Sequence, residues 1–586
     1  MPPPASPAPG TSRRNRVGPA EPVVGAAGSD AGASAPRMVR RQTRAATRFG
    51  ATRFDGVDGL RAGLWLVCGA VIVLPLCAIV VLALTNNHLP LLLSGDVAEA
   101  ALNSLVSAGL SAAGAVVLGT ALALLLDRSD VHGRRSLRLL ALTPLLVPPF
   151  VGAIAWIGIA GPTGPVNQAW TLWFGHPLWI IYGGDGVVFL LIVHSYPIVY
   201  IIMSAALRRV PSDLEQAARI SGASLMRSVT DITLPLLRPA ALSAFTLIAV
   251  SNLADFGIPS IIGLPERFVT LSTLVYRYIQ SGTVESPLEV VSTIGVVLLG
   301  VAFLAMVVDL LINRNRVELD QSSAPPQPIR LGRARTATSI VAWTTVLAIT
   351  LLPLLALTSQ ALLPAPGVPL AWENLTLDNI VRATTAPGTI VGATNSVLLS
   401  VLAGLICTVL GLAIGTIVTR TRARSNAGLA TVALLPQAIP GLVMAVGWLI
   451  IAPSLGLFNT PWLILCAYVM AFVAVVVQAV SAPLRSTPMS MEEAARISGA
   501  SRLRALLDIS WRMAVPAALA GGVLVTLTAV RELTISVLLL SPGSQTLGVS
   551  IFSLQQAGAY NAAAALSLLV TLVGLAGLGL VARGQR

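Results

Sequence analysis

The side chains of this 586-residue chain that could do something specific come in pairs. Glu215-Gln216-Ala217-Ala218-Arg219-Ile220-Ser221-Gly222-Ala223-Ser224 recurs 277 residues later as Glu492-Glu493-Ala494-Ala495-Arg496-Ile497-Ser498-Gly499-Ala500-Ser501, identical at nine of ten positions. Asp255 and Glu532 keep the same 277-residue offset, each inside an otherwise apolar stretch. An acid there is costly to expose to lipid, which makes the pair a candidate cation guide along a translocation path. The alternative is two acids at helix ends, bridging to Arg531 or to backbone groups. His194, Tyr196 and Tyr200 include ligand types suited to a hard metal. Tyr196 and Tyr200 share a helix face, whereas His194 lies about 200° from Tyr196. The second copy has Ala471 and Val473 at the first two positions, so structural hydrogen bonding suits these side chains better than a metal centre.

Some chemistry is excluded. All 38 basic residues are Arg. A Walker-type phosphate loop needs a Lys on the nucleotide phosphates, so any ATP hydrolysis belongs to another subunit. The sequence pairs no nucleophile with a base. Cys68, Cys77, Cys407 and Cys466 sit in apolar stretches without a CxxC, indicating neither a disulfide framework nor a zinc site.

The duplicated decapeptide predicts a short helix, a turn and a second helix. Asp213 and Ser490 stand where N-caps are expected, with Gln216 and Glu493 at the reciprocal capping-box position and Pro211 and Pro488 two residues earlier. Gly222 and Gly499 supply the left-handed residue that ends the first helix, and Ser224 and Ser501 can cap the next. The paired alanines leave a smooth face suited to insertion into a groove on a soluble partner.

The elements that must hold these loops are membrane spans. Hydrophobic residues make up 55% of the chain, charged residues 11%, and mean hydropathy is +0.81. Soluble domains carry about a quarter charged residues, so a soluble enzyme is excluded. Apolar blocks of spanning length lie near 64–84, 101–126, 137–160, 187–207, 240–262 and 288–313, then near 338–358, 391–418, 428–453, 462–481, 514–540 and 562–582. Residues 1–60, rich in Pro, Ala, Gly, Ser and Arg, read as a disordered tail. Residues 61–316 form a first six-span domain, 317–337 a linker and 338–586 a second six-span domain. If the tail is cytoplasmic and the spans alternate, 34 of the 38 Arg fall on the cytoplasmic side, and both termini lie there. The net charge of +13 thus reflects topology, not nucleic-acid binding. Asn103-Ser104, Pro144, Pro148 and Trp156 recur 292 residues on as Asn395-Ser396, Pro436, Pro440 and Trp448. An even number of spans per copy gives both halves one orientation, a parallel repeat with a path between them.

At the decapeptide the chain resembles the permease subunits of binding-protein-dependent ABC importers, whose EAA motif forms the coupling helix that docks on a cytoplasmic ATPase. The resemblance covers nearly all of residues 60–583, twice over. It implies an all-α inner-membrane protein of about twelve spans, arranged as two parallel six-helix repeats of the ABC importer permease fold. It implies Glu215, Gln216, Ala217, Ala218 and Gly222, with Glu492, Glu493, Ala494, Ala495 and Gly499, as coupling-loop residues. It also implies two copies of an ATPase that carry the ATP and Mg, an extracytoplasmic binding protein, and no cofactor on this chain. Gln216 departs from the motif's second Glu, and Leu234-Pro235 becomes Trp511-Arg512 in the second copy. Two fused halves, with Leu253-Ala254-Asp255-Phe256-Gly257-Ile258-Pro259, Phe268 to Thr273 and Arg531-Glu532-Leu533, look most like the ferric-iron permeases. Thiamine, phosphonate and polyamine permeases are alternatives, and a secondary transporter with duplicated halves is a remoter one. The outer loop 161–186 carries Trp170, Trp173, Phe174, His176, Trp179 and Tyr182 without an Arg, as either an interfacial aromatic belt or a docking surface for the binding protein.

Overall fold

A computed structural model describes residues 56–85, 90, 95–282, 284–313 and 329–584. The expected tail through residue 55 and most of the expected linker lie outside them. Gly56–Leu60, read from the sequence as the end of the tail, are helical instead. Val57, Leu60 and Leu64 fall on one helix face, and Val57 is completely buried, so the first helix begins where its apolar face begins. The first half comprises α1 (Gly56–Thr85), α2 (Gly95–Arg128), α3 (Arg134–Ala141), α4 (Pro149–Ala160), α5 (Pro165–Phe174), α6 (Gly184–Leu207), α7 (Ser212–Ile220), α8 (Met226–Leu253), α9 (Leu271–Ser281) and α10 (Pro287–Asn313). The second repeats it as α11 (Arg335–Leu362), α12 (Asp378–Thr385), α13 (Pro387–Arg420), α14 (Ser425–Leu434), α15 (Gly441–Ile451), α16 (Pro461–Ser486), α17 (Ser490–Ile497), α18 (Arg502–Ala529), α19 (Thr534–Leu538), α20 (Leu547–Gln556) and α21 (Tyr560–Gly584). Each of the twelve apolar blocks carries a helix. Among the described residues ten helices are long and apolar enough to cross a membrane. The remaining blocks hold a pair bent by 110°, which runs through α14 and α15, and the shorter apolar stretch Tyr560–Ala576 in α21.

The bend has a local cause. Pro436 and Pro440 bracket a 3-10 turn between α14 and α15, and Pro144 and Pro148 do the same between α3 and α4. Proline removes a backbone donor and clashes with the preceding turn, so the third span of each half cannot continue as one helix. Asn103 and Ser104 on α2 bond Val269 O (3.0 Å) and Leu271 N (2.8 Å), pinning the start of α9. Asn395 and Ser396 on α13 repeat this with Gln545 O (2.9 Å) and Leu547 N (2.7 Å) at the start of α20. Close helix crossing is repeated too. A Cβ at Gly119 would lie 2.7 Å from Val199, and one at Gly411 would lie 2.6 Å from Val476.

Each half lends its first span to the other. Besides its own half's last span, α10, α1 packs on α15 of the second half, and Arg61 Nη2 donates to Thr421 Oγ1 at 3.2 Å. Reciprocally, α11 packs on α21 and on α4 of the first half. Its entry is pinned to the loop after α2. Asp130 accepts from Leu331 N (3.0 Å), Arg335 Nε donates to Asp130 O (2.7 Å), and Trp343 Nε1 donates to His132 O (3.0 Å). The Leu331 bond and the nearby Arg335 charge hold the Asp130 carboxyl below its usual range.

Candidate functional site

The duplicated loops form matching helix–turn–helix units. In each, a glycine in the left-handed region ends the short helix: Gly222 at φ +89° and Gly499 at φ +93°. Ala223 N reaches Ala218 O (2.9 Å) and Gly222 N reaches Arg219 O (3.0 Å), with the same pattern from Ala500 and Gly499, a Schellman closure. Nothing lies within 4 Å of a Cβ built at either glycine, so backbone conformation and not packing demands glycine there. Ser224 and Ser501 accept from Arg227 N (3.3 Å) and Arg504 N (3.2 Å), capping the following helix. The entry differs from expectation. α7 begins at Ser212 after Pro211 and α17 at Ser490 after Met489, which puts Asp213 and Ser490 inside the first turn. The pre-set φ of Pro211 starts α7 two residues early, and the turn initiated at Pro488 starts α17 one residue early.

The first Glu of each motif points back into the protein. Arg420, whose side chain is 3% exposed, donates Nε to Glu492 Oε1 at 2.6 Å. Its Nη1 also donates to Leu484 O (3.0 Å) and Thr487 O (2.9 Å). Ser510 donates to the same carboxylate oxygen. In the first half Arg128, 2% exposed, pairs with Glu215, which also accepts from Thr233 Oγ1 at 2.6 Å. These partners were missed from the sequence, although the signal was there. Arg128 and Arg420 are 292 residues apart, Thr233 and Ser510 are 277 apart, and those are the two offsets of the repeat. Thr233 and Ser510 each sit in a π-turn at the start of the fifth span, a local widening that turns the hydroxyl toward the loop.

The remaining motif residues face outward. Gln216, Glu493, Ala217, Ala494, Gly222 and Gly499 are exposed, and Ala218 and Ala495 are half-buried. Ile220 and Ile497 are 87% and 89% exposed, and Leu214 and Met491 are also exposed. Each loop thus presents a small apolar face on a helix anchored from beneath by an ion pair. The Gln216/Glu493 difference lies on that face and leaves the anchor unchanged.

Between the halves lies a cavity of about 500 Å³ lined by Pro148, His194, Pro436 and Arg531, among others, and by the repeat-related pair Asp255 and Glu532. Asp255 Oδ1 accepts from Ile258 N (2.9 Å), and Glu532 accepts from Ile535 N (2.8 Å) and Ser536 N (3.2 Å). Both acids therefore cap the short helical segments that follow them, as the helix-end alternative expects, and both also line the cavity. Arg531 does not bridge them. Its Nη1 crosses to the other half and donates to Leu145 O (3.2 Å) and Leu146 O (2.6 Å), in the proline-bracketed turn. His194 lines the cavity, whereas Tyr196 is buried in the first-half core beside Val199 and Tyr200. The two are not brought together. Among the described residues no group of three or more His, Cys, Asp or Glu is arranged to hold a metal ion. In the outer loop Trp170 stacks on Phe174 (4.2 Å between centroids) and Trp179 Nε1 donates to Asp185 (2.6 Å), while Trp173 is 84% exposed.

The chain matches the model of the binding-protein-dependent transport system inner membrane component family twice, over residues 97–317 and 407–585. It is 23% identical over 484 residues to a ferric transport system permease protein FbpB of Actinobacillus pleuropneumoniae, covering 81% of this chain and 69% of that one. It is 22% identical over 522 residues to an Fe(3+)-transport system permease protein FbpB 2 of Haemophilus influenzae, covering 87% and 96%. The molybdenum transport system permease protein ModB of Escherichia coli is 30% identical over 190 residues, 32% of this chain and 82% of its own length.

Proposed function

Because the chain belongs to the family of binding-protein-dependent transport system inner membrane components, we propose that it supplies both transmembrane halves of an ABC importer of ferric iron. The observation that carries this reading is the mirrored Arg–Glu–hydroxyl anchor beneath two outward-facing helices. A helix held rigidly at its inner face and apolar at its outer face can transmit a push from a soluble partner into the spans. Two copies of an ATPase would dock there, one at α7 and one at α17, holding the ATP and Mg that this chain does not bind. The Arg-rich loops support a cytoplasmic position for these helices and both termini. An extracytoplasmic binding protein would deliver the cargo to the opposite face.

Iron as cargo is supported by the two relatives that align over most of this chain. The central cavity is compatible with this, since it carries the two carboxylates of Asp255 and Glu532, ligand types that suit a hard cation, against the single guanidinium of Arg531. The test is uptake of labelled ferric iron by iron-starved cells with the gene deleted. The deleted cells are complemented with the natural sequence or with the Ile220→Asp Ile497→Asp double variant, which alters only exposed side chains. Uptake restored by the first and not by the second supports cargo and docking together. Uptake unchanged by deletion in cells lacking any other iron importer overturns iron as the cargo.

A further inference from the structure

The central cavity continues into a second one of about 650 Å³, and the two share Ser251, Ala254, Gln437 and Gly441 in their walls. The second cavity lies along α8 and α10 of the first half, against the proline-bracketed turn of the second. One face of α8 runs through both. Ser243, Thr246 and Val250, continued by Ala254 at the helix's C-cap, recur at three- and four-residue spacing in a single row, with Ser251 beside it and Asp255 in the turn that follows. Asp309, near the Arg-rich end of α10, closes the row. The repeat predicts an equivalent row on α18, and it is different in kind. Ser243, Thr246 and Val250 correspond to Ala520, Val523 and Leu527, so the hydroxyls approaching the cytoplasmic end are absent from the second half.

A cation leaving the cavity sheds water only where oxygen atoms replace it, because an ion in an apolar groove loses solvation without compensation. The α8–α10 side offers hydroxyl oxygens, the amide of Gln437 and finally the Asp309 carboxylate. Gln437 already accepts from Gln478 Nε2 at 2.7 Å, which fixes its amide oxygen at the junction of the two cavities. From these observations we propose that the inward path is one-sided: cargo passes from the central cavity down the α8–α10 groove to Asp309, and α18 serves as an apolar wall. The inference rests on the cation-importer reading for the role of Asp309, but the position of the route does not depend on which cargo is carried.

Two measurements on the assembled transporter separate these points. In inside-out vesicles, with Cys68, Cys77, Cys407 and Cys466 replaced by Ala, a charged methanethiosulfonate should modify a Thr246→Cys variant at least ~10-fold faster than Val523→Cys, since only a hydrated thiol ionises and reacts. Equal rates, or faster reaction at Val523→Cys, overturn the one-sided path. In uptake assays with labelled ferric iron, Asp309→Asn should cut uptake about tenfold, the loss of ~1.4 kcal/mol at one step, while Asp309→Glu retains most of it. Full uptake by Asp309→Asn overturns the role of that carboxylate. If the natural sequence takes up no iron but the labelling asymmetry persists, the cargo reading fails and the path stands.

Discussion

Replacing Glu492 by Leu should loosen α17, and replacing Glu215 by Leu should loosen α7 further. Removing one partner of a buried ion pair costs about 3–5 kcal/mol, because the remaining charge is left without compensation. The two sites differ in what remains. Arg420 keeps two carbonyl acceptors, Leu484 O and Thr487 O, so its loss falls at the low end. Arg128 has no such second anchor, since among the described residues its Nε and Nη1 find no acceptor. Hydrogen bonds to charged groups contribute ~1.5–3 kcal/mol each, so the first-half variant should lose about 2 kcal/mol more. Amide hydrogen exchange reads this as local opening. Exchange over 490–497 should rise on the order of 100-fold in Glu492→Leu, and the rise over 212–220 in Glu215→Leu should be roughly 30-fold larger still, until unprotected rates are reached. Arg420→Met combined with Glu492→Leu removes both charges and should restore most of the protection. Equal effects in the two halves, or a double variant no better than the single, would refute the uncompensated-charge argument.

Three further outcomes follow from the same geometry. Gly222→Val or Gly499→Val forces a β-branched residue into the left-handed region at a cost of at least ~1–2 kcal/mol, with open space around the new side chain, and should lower transport-coupled ATPase activity while leaving membrane insertion unchanged. Arg531→Met removes the donor to Leu145 and Leu146 and so releases a bridge between the halves; ATPase activity without the binding protein should rise, and an unchanged basal rate would exclude a latch role. Because the folded state lowers the Asp130 pKa, its contribution is present above the ordinary carboxylate range and is lost as pH falls through the folded value; proteolytic cutting around 329–335 should increase only below about pH 4, and not in Asp130→Asn, which should be susceptible at all pH values.

The spans, the twofold repeat and the decapeptide loops were legible because each is written as a run or a copy in one dimension. The turn glycines and the Ser501 cap were legible for the same reason, being decided within four or five residues. The anchor was not, because Arg128 and Glu215 are 87 residues apart and meet only after α2 and α6 have packed. Two offsets had to be read together to see it. The acids Asp255 and Glu532 were legible as a pair, but their dual position as helix caps and cavity lining needed the backbone after them to be seen turning. The exchange of first spans left no periodic trace at all, since a lipid-length apolar run looks the same whichever half it packs against.

That exchange sets a timetable for synthesis. The groove on α4 that α11 fills is finished when Ala160 has been made, yet α11 begins only at Arg335, about 175 residues later. At ~5–20 residues per second the groove stands open to lipid for roughly 10–35 s. Over that interval the first six spans are a half-clad intermediate, and the insertion machinery must either shelter them or release them with a lipid-filled seam. Joining the two halves in one chain guarantees that the missing helix arrives at the place where it is needed.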